Sequence, residues 1–187
     1  MFKIKPLAPF FIVSLAVGMG LLGGCKNEGV RVYNAPKDMI LASAQNQGLP
    51  FTFSAPQNWT YAPGSGMRLG TFSVTNKEGS AELTLTSLYG EAGGLLANVN
   101  RWRGQLKLGS VESGSLARHV QSLDISHHPI QLVDLEERTQ HEKKKRFLVG
   151  VMENGTQTFF FKLVGHHGVI ETEKKTFLDF LKTVHFE

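Results

Sequence analysis

An Asn-Gly pair between two apolar runs constrains the fold of this chain more than any other feature. Asn154-Gly155 separates residues 146–153 (RFLVGVME) from residues 156–165 (TQTFFFKLVG), and both runs are rich in β-branched and aromatic side chains. A type I′ turn needs positive φ at both central residues, and Asn-Gly is its strongest sequence signal. The sequence therefore predicts a hairpin centred on Asn154 and Gly155, and with it an antiparallel sheet.

Further strands are predicted from the alternation of apolar and polar residues. Residues 81–89 (AELTLTSLY) place Leu83 and Leu85 on one face and polar residues on the other. The turn at 76–79 joins this strand to residues 67–75, so the two form an antiparallel pair. The remaining predicted segments are a short strand at 51–56, a strand at 129–135, a loop at 61–66 and a charged hairpin end at 136–146.

Three helices are predicted in the segments between the strands. The first has an apolar stripe at helical spacing, formed by Leu95, Val99, Trp102 and Leu106. The second would be capped by Ser113 or Ser115, and its apolar residues would be Leu116, Val120 and Leu123. The third covers 169–184, with two acidic residues in its first turn, Glu171 and Glu173, and Lys182 in its last, as the helix dipole favours. Hairpin-joined strands with clustered helices predict an α+β fold, an antiparallel β-sheet flanked by helices.

The N-terminus has the pattern of an export signal. Lys3 and Lys5 precede an apolar run from about Leu7 to Leu22, and small residues lead up to Cys25. The run is short for a membrane span, which needs roughly 20 apolar residues. The Leu-Gly-Gly-Cys sequence that ends at Cys25 looks like the lipobox of bacterial lipoproteins, in which the cysteine receives the lipid. The alternative is an ordinary signal peptide with a chance cysteine.

Lipidation at Cys25 would divide the chain into a signal peptide (1–24), a tether (25–49) and one folded domain (50–187). Cys25 is the only cysteine, so the domain would have no disulfide and would depend on its core. Removal of residues 1–24 takes away two of the 20 lysines and arginines and none of the 16 acids, so 18 bases remain. A charge this close to balance argues against nucleic-acid binding.

The same residues predict where the protein lies. Several acyl chains on one cysteine hold a protein firmly at a membrane. Position 26 is lysine rather than aspartate, the residue that commonly retains bacterial lipoproteins in the inner membrane. We therefore expect a lipid-anchored protein of the bacterial cell envelope, at the outer membrane and facing the periplasm.

The folded part resembles exported bacterial proteins of the PsbP-like fold. The resemblance covers roughly residues 50–187 and is carried by a Phe-x-Phe-x-x-Pro strand, Trp59, the helix sequence GGLLANVNRWRGQL and the final FFKL…FLDFLK segment. This fold is an α/β/α sandwich around an antiparallel sheet, shared by the photosystem II extrinsic subunit and a small Ran-binding protein of the Mog type. Neither of these two proteins has a lipobox, and this difference leaves their site residues without a counterpart here. The resemblance therefore implies only the fold and a non-catalytic role in binding or assembly.

The first helix supplies the candidate binding residues. Trp102 belongs to the apolar stripe, so we expect it to be buried, with Arg101 and Arg103 on either side of it. Asn98 and Asn100 lie on the two neighbouring faces, each aligned with one arginine. The arginines could form an anion- or partner-binding face, since guanidinium groups contact carboxylates and phosphates in bidentate fashion. The alternative is that they are solvated and their stems cover the sheet.

Two other functions stay open from the sequence. One is a small metal-dependent or hydrolytic enzyme that uses either His166, His167 and Glu171 or the arginines of the first helix. However, the chain lacks the H-E-x-x-H, G-x-S-x-G and P-loop motifs. The other is a small-ligand or polysaccharide binder with exposed aromatics such as Tyr33, Trp59 or Tyr61. The leading expectation is a non-enzymatic envelope lipoprotein without a cofactor or metal. It would bind the membrane through its lipid and bind, or help to assemble, a protein or another envelope component.

Overall fold

The structure is a computed structural model that describes residues 48–125, 128–139 and 144–187. The predicted signal peptide, Cys25 and the predicted tether up to residue 47 lie outside the described residues. Part of the predicted charged hairpin end, residues 140–143, also lies outside them. Those predictions stay predictions.

Seven strands form one sheet in which all neighbours are antiparallel, in the order β2-β3-β4-β8-β7-β6-β5. Two further short strands, β1 and β9, pair with each other beside it. The strands are β1 Phe51–Thr52, β2 Thr60–Ser65, β3 Arg68–Asn76, β4 Gly79–Tyr89, β5 Gln121–Ile125, β6 His128–Glu136, β7 Lys145–Asn154, β8 Gln157–His166 and β9 His185–Phe186. The strands at 67–75, 81–89, 129–135, 146–153 and 156–165 are thus confirmed to within a few residues, and the strand at 51–56 is shorter than predicted.

Two α-helices lie on opposite faces of this sheet, α1 at Leu95–Gln105 and α2 at His167–Lys182. One core packs against α2 and is rich in phenylalanine, while the other packs against α1 around Trp102. Successive residues of β7 alternate between the two cores, with Phe147 and Val149 on the α1 side and Leu148 and Met152 on the α2 side. The predicted α+β fold, an antiparallel sheet flanked by helices, is therefore confirmed.

The hairpin between β7 and β8 is present, but its turn is one residue later than predicted. Asn154 still belongs to the ladder and pairs with Gln157, so the two loop residues are Gly155 and Thr156. Gly155 has a φ of 59° and Thr156 has no positive φ. A two-residue turn with glycine first needs positive φ only at that glycine. The type I′ turn centred on Asn154 and Gly155 was therefore a wrong prediction.

Two edge strands were missed. Residues 61–66 were predicted to be a loop, yet β2 covers Thr60–Ser65 and pairs with β3. Pro63 lacks an N–H group but is tolerated because an edge strand needs hydrogen bonds on one side only. The predicted second helix is also wrong, since only a 3₁₀ helix at Ser113–Arg118 forms and Leu123 lies in β5. A period-2 pattern of five residues is too short to outweigh a helical interpretation of the same apolar positions.

The last helix begins two residues before its predicted start. Because α2 starts at His167, its first turn contains no acidic residue, and Glu171 and Glu173 lie beyond it. The dipole argument for these two residues was therefore wrong. Each instead makes a tertiary contact: Glu171 pairs with Arg146, and Glu173 accepts a hydrogen bond from Trp59. Lys182 lies in the last turn, as expected.

Candidate functional site

Helix α1 covers only part of its face of the sheet. Its buried residues pack on β6, β7 and β8, against side chains such as Val133, Phe147 and Phe160. The outward positions of β3 and β4 on this face are exposed or half-buried polar residues: Thr71, Ser73, Thr75, Glu82, Thr84 and Thr86. We call these six residues the open sheet face.

A concave surface of about 430 Å³ lies between α1 and the open sheet face. Three cationic side chains and one carboxylate line it, namely Arg68, Arg101, Lys162 and Glu82. Neutral polar groups of Thr84, Thr86 and Gln105 complete the polar lining. We call this surface the basic concavity, since its positive side chains outnumber its negative one.

Lys162 projects from β8 next to the end of α1. Its Nζ donates a hydrogen bond of 2.8 Å to Gln105 Oε1 and lies 4.2 Å from the centre of the Phe147 ring. Burial, together with the nearby positive charge of Arg101, lowers the pKa of Lys162 to about 8. The ammonium group is therefore held in a place where it lacks a compensating negative charge.

Arg68 occupies the opposite rim of the basic concavity. One of its guanidinium nitrogens lies 3.6 Å from a carboxylate oxygen of Glu82, and both side chains are more than half exposed. An exposed pair of this kind contributes little to stability. It leaves Arg68 free to turn toward a ligand at small cost.

The structure places the four predicted binding residues in different surroundings. Arg101 lines the basic concavity and donates a hydrogen bond to Asn98 Oδ1. Asn98 is 2% exposed, and its amide nitrogen donates to the backbone oxygens of Ala92 at 2.9 Å and Gly94 at 2.8 Å. Asn98 thus fixes the turn that precedes α1 and at the same time orients Arg101.

Asn100 and Arg103 hold the segment that follows α1. Asn100 accepts from the N–H of Val111 at 2.8 Å and donates to its carbonyl oxygen at 3.0 Å. Arg103 Nε donates to the carbonyl oxygen of Gly109 at 2.6 Å. Neither lines the basic concavity. A role in ligand binding for these four residues stays a prediction, and Arg101 is the one with the geometry for it.

Sequence analysis missed Lys162 and Arg68 as neighbours of Arg101. A signal for Lys162 was present, because a single lysine interrupts the apolar run FFFKLV of β8. Strand residues that face a solvated concavity can be charged even when both neighbours along the chain are buried. The expected burial of Trp102 is confirmed: it is 3% exposed and its ring meets Phe160 edge-on.

His166, His167 and Glu171, which were proposed for an enzyme site, each contact a different partner. His166 Nδ1 accepts from the N–H of Gly168 at 3.3 Å and so caps α2. His167 Nδ1 lies 3.1 Å from a carboxylate oxygen of Glu136, whereas Glu171 contacts Arg146. Among the described residues, no group of three or more His, Cys, Asp or Glu side chains could hold a metal ion.

Of the three aromatic residues proposed to be exposed, the two that the structure describes are buried or half-buried. Trp59 was expected at the surface but is 6% exposed, because its indole N–H donates to Glu173 at 2.9 Å and its ring packs between Phe72 and Phe180. Tyr61 is half-buried against Phe72. Tyr33 lies outside the described residues.

An ion-pair cluster joins the sheet to α2 on the face opposite the basic concavity. Arg146 donates two hydrogen bonds of 2.7 Å to the carboxylate of Asp134 and a third to Glu171. Lys174 Nζ also donates to Asp134 at 2.9 Å. Burial alone would raise the pKa of Asp134, but the hydrogen bonds from Arg146 and Lys174 outweigh it and lower that pKa. The cluster satisfies its own charges, so its role is structural.

The described helices are also too short or too polar to cross a lipid bilayer.

Comparisons with known proteins give distant matches only. No family model matches the chain, and neither does any curated protein. The solution structure of cyanobacterial PsbP (CyanoP) from Synechocystis sp. PCC 6803 matches with a TM-score of 0.48 and 15% identity, over 90% of this chain and 100% of that one. LpqN, involved in cell envelope biogenesis of Mycobacterium tuberculosis, matches with a TM-score of 0.41 and 16% identity, over 73% of this chain and 83% of that one. These likenesses assign no residue role to this chain.

Proposed function

We propose that the chain is a lipid-anchored, non-enzymatic protein of the bacterial envelope that binds a protein or another envelope component. The basic concavity and the open sheet face beside it form the binding surface. The observation that carries the proposal is the position of Arg101, Lys162 and Arg68 around one concave surface at the edge of α1. Binding there would help to position or assemble the component near the membrane.

The chemistry of the lining supports binding rather than catalysis. The hydrogen-bond partners of Arg101 and Lys162 are neutral amides, which hold the two cations in place without neutralising them. Thr84 and Thr86 supply the hydroxyl groups of the lining, and that of Thr84 lies 3.4 Å from the exposed carboxylate of Glu82. A hydroxyl nucleophile is activated by a closely bonded base that a third group orients, and the long contact between Thr84 and Glu82 is not of this kind.

The envelope location rests on the N-terminal sequence. A basic start, an apolar run and the Leu-Gly-Gly-Cys sequence at Cys25 are in the order that lipidation requires. A tether from Cys25 to residue 49 would let the domain stand away from the bilayer. Lysine at position 26 favours the outer membrane.

The anchor is tested by Cys25→Ala. The full chain should fractionate with membranes and carry acyl chains detectable by mass spectrometry at the mature N-terminus. Cys25→Ala should lose both properties while the melting curve of the soluble fold stays the same. An unmodified cysteine, or a variant that still fractionates with membranes, contradicts the anchor.

The binding surface is tested by site-specific photo-crosslinking in intact cells. A photo-reactive residue at Thr86 lies on the open sheet face, and one at Lys175, whose side chain is 88% exposed on α2, is the matched control on the opposite face. We expect a discrete crosslinked product from position 86 that Arg101→Glu removes, and none from position 175. Equal products from both positions, or substrate turnover that depends on the lining residues, would overturn the proposal.

A further inference from the structure

The basic concavity has an unbalanced charge. Of its four charged residues, Glu82 lies beside Arg68, so Arg101 and Lys162 face the concavity with neutral partners. Both partners accept from these cations, Asn98 through Oδ1 and Gln105 through Oε1. Each cation keeps further N–H groups for a ligand, because a guanidinium has five and an ammonium three.

The two cations also oppose each other. The burial of Lys162 and, to a lesser extent, the charge of Arg101 both disfavour the protonated amine, so the pKa of Lys162 falls to about 8. An anion placed between the two would remove this repulsion. The lining carries three positive charges against one negative, so the best match is a ligand group that carries nearly two negative charges.

We propose that the basic concavity binds a phosphate monoester group, held by Arg101 and Lys162, with Arg68 closing on it from the rim. This inference rests on the proposed function and deepens it by naming the chemistry of the bound component. A phosphate monoester carries about −1.5 to −2 charges at neutral pH and three acceptor oxygens. The arginine can take two of these oxygens in bidentate fashion, and the lysine the third.

The size and neutral lining of the site suit a phosphate on a larger polar molecule. A volume of about 430 Å³ is in the range of small-molecule sites and leaves space beyond the phosphate itself. The hydroxyls of Thr84 and Thr86 border that space and can bond to polar groups of the molecule that carries the phosphate. The monoester could belong to a lipid headgroup or to a soluble phosphorylated compound, so the experiment separates these sources.

The test is titration calorimetry on the full chain, purified in detergent at neutral pH and low salt. The soluble probes are glucose 6-phosphate and inorganic phosphate, with glucose as the neutral control. The lipid probe is phosphatidic acid in mixed micelles, with phosphatidylcholine as its control. Binding of the soluble phosphates assigns a soluble source, and binding of phosphatidic acid alone assigns a lipid headgroup; either result supports the inference.

Cations inside and outside the basic concavity provide the matched variants. Arg101→Gln and Lys162→Gln should weaken phosphate binding by about tenfold or more, since each removes charged hydrogen bonds. Lys175→Gln, at an exposed cation of α2 on the opposite face, should leave phosphate binding within about twofold. Arg68→Gln, at a side chain that is 56% exposed, should weaken binding without a threat to folding. Thermal melts of all four variants identify any loss of fold.

Two results would overturn the inference. One is that no phosphate probe binds more tightly than its control. The other is that Arg101→Gln, Lys162→Gln and Arg68→Gln all bind phosphate as well as the wild type. A crosslink from position 86 that survives either result would leave the proposed function standing and remove only the phosphate chemistry. Loss of that crosslink as well would remove both.

Discussion

At the residue scale, the glycines of this chain show how position decides the effect of one methyl group. Gly165 of β8 lies against β4, and a Cβ placed there would be 2.5 Å from Ala81 Cα and from Ser80 O. These are backbone neighbours in a central sheet, so they cannot move independently of the ladder. Gly104 in α1, in contrast, has no atom within 4 Å of an added Cβ. Of these two glycines, only Gly165 is closely packed.

We predict opposite effects for the same substitution at these two glycines. Gly165→Ala should lower the free energy of unfolding by about 3 kcal/mol, because the β4–β8 ladder must separate to admit the methyl group. Gly104→Ala should raise it by about 1 kcal/mol, because alanine has a higher helix propensity and no clash. Urea denaturation of both variants measures the difference. A neutral Gly165→Ala would show that the β4–β8 ladder admits the methyl group without separating.

Lys162 shows why the candidate site was only partly predictable from residues alone. Its position in an apolar strand marked it as unusual, but nothing local could bring Arg101 or Arg68 to it. Arg101 is 61 positions earlier in the chain, and Arg68 belongs to a strand separated from β8 by β4. The site forms only because α1 lies across one half of the sheet and ends next to β8. Long-range placement of this kind comes from tertiary packing rather than from local sequence.

At the element scale, the two missed strands share a physical cause, and the shifted turn has another. The central strands were confirmed because their apolar runs are long and are buried by neighbours on both sides. The edge strands β2 and β5 have weak or short patterns, since only one side of an edge strand is bonded and its outer face meets water. The turn at Gly155 was shifted by one residue because the ladder extends to Asn154 and overrides the local Asn-Gly preference.

The contact between α2 and strands β6 and β7 supplies a prediction at this scale. The side chain of Arg146 is 9% exposed and bridges Asp134 and Glu171, so its loss leaves a partly buried carboxylate without its main donor. Arg146→Met should lower the free energy of unfolding at pH 7 by about 2 kcal/mol. Lys175→Met, at an exposed pair on the same helix, should cost under about 1 kcal/mol.

The same substitution should change how stability depends on pH. Since Arg146 and Lys174 lower the pKa of Asp134 in the folded state below the ordinary value of 3.8, its carboxylate contributes stability above that pH. This contribution is lost as the pH falls below about 3.8 and Asp134 takes up a proton. The difference between wild type and Arg146→Met should therefore shrink in acid. Urea titrations at neutral and acidic pH measure this difference in the free energy of unfolding. A difference that does not change with pH would show that the stabilising effect of Arg146 does not depend on the charge of Asp134.

At the scale of the whole molecule, the core on the α2 side is closed by segments from both ends of the domain. The α2-side core is closed by β1, which pairs with β9, so residues near the start of the domain meet residues near its end. Phe51 is fully buried and contacts the rings of Phe159, Phe161 and Phe186. The domain boundary predicted at residue 50 therefore lies immediately before a central core residue.

This arrangement predicts how the protein responds to N-terminal truncation. A chain that starts at residue 48 retains β1 and both cores and should melt within a few degrees of a chain that starts at residue 26. A chain that starts at residue 54 lacks Phe51 and Phe53. Removal of one buried phenylalanine side chain lowers the free energy of unfolding by about 3–5 kcal/mol. Their combined loss is comparable with the total stability of a typical domain, about 5–15 kcal/mol. We therefore expect this shorter chain to be unfolded or molten by circular dichroism, and a cooperative melt near that of the longer chains would show that β1 is dispensable.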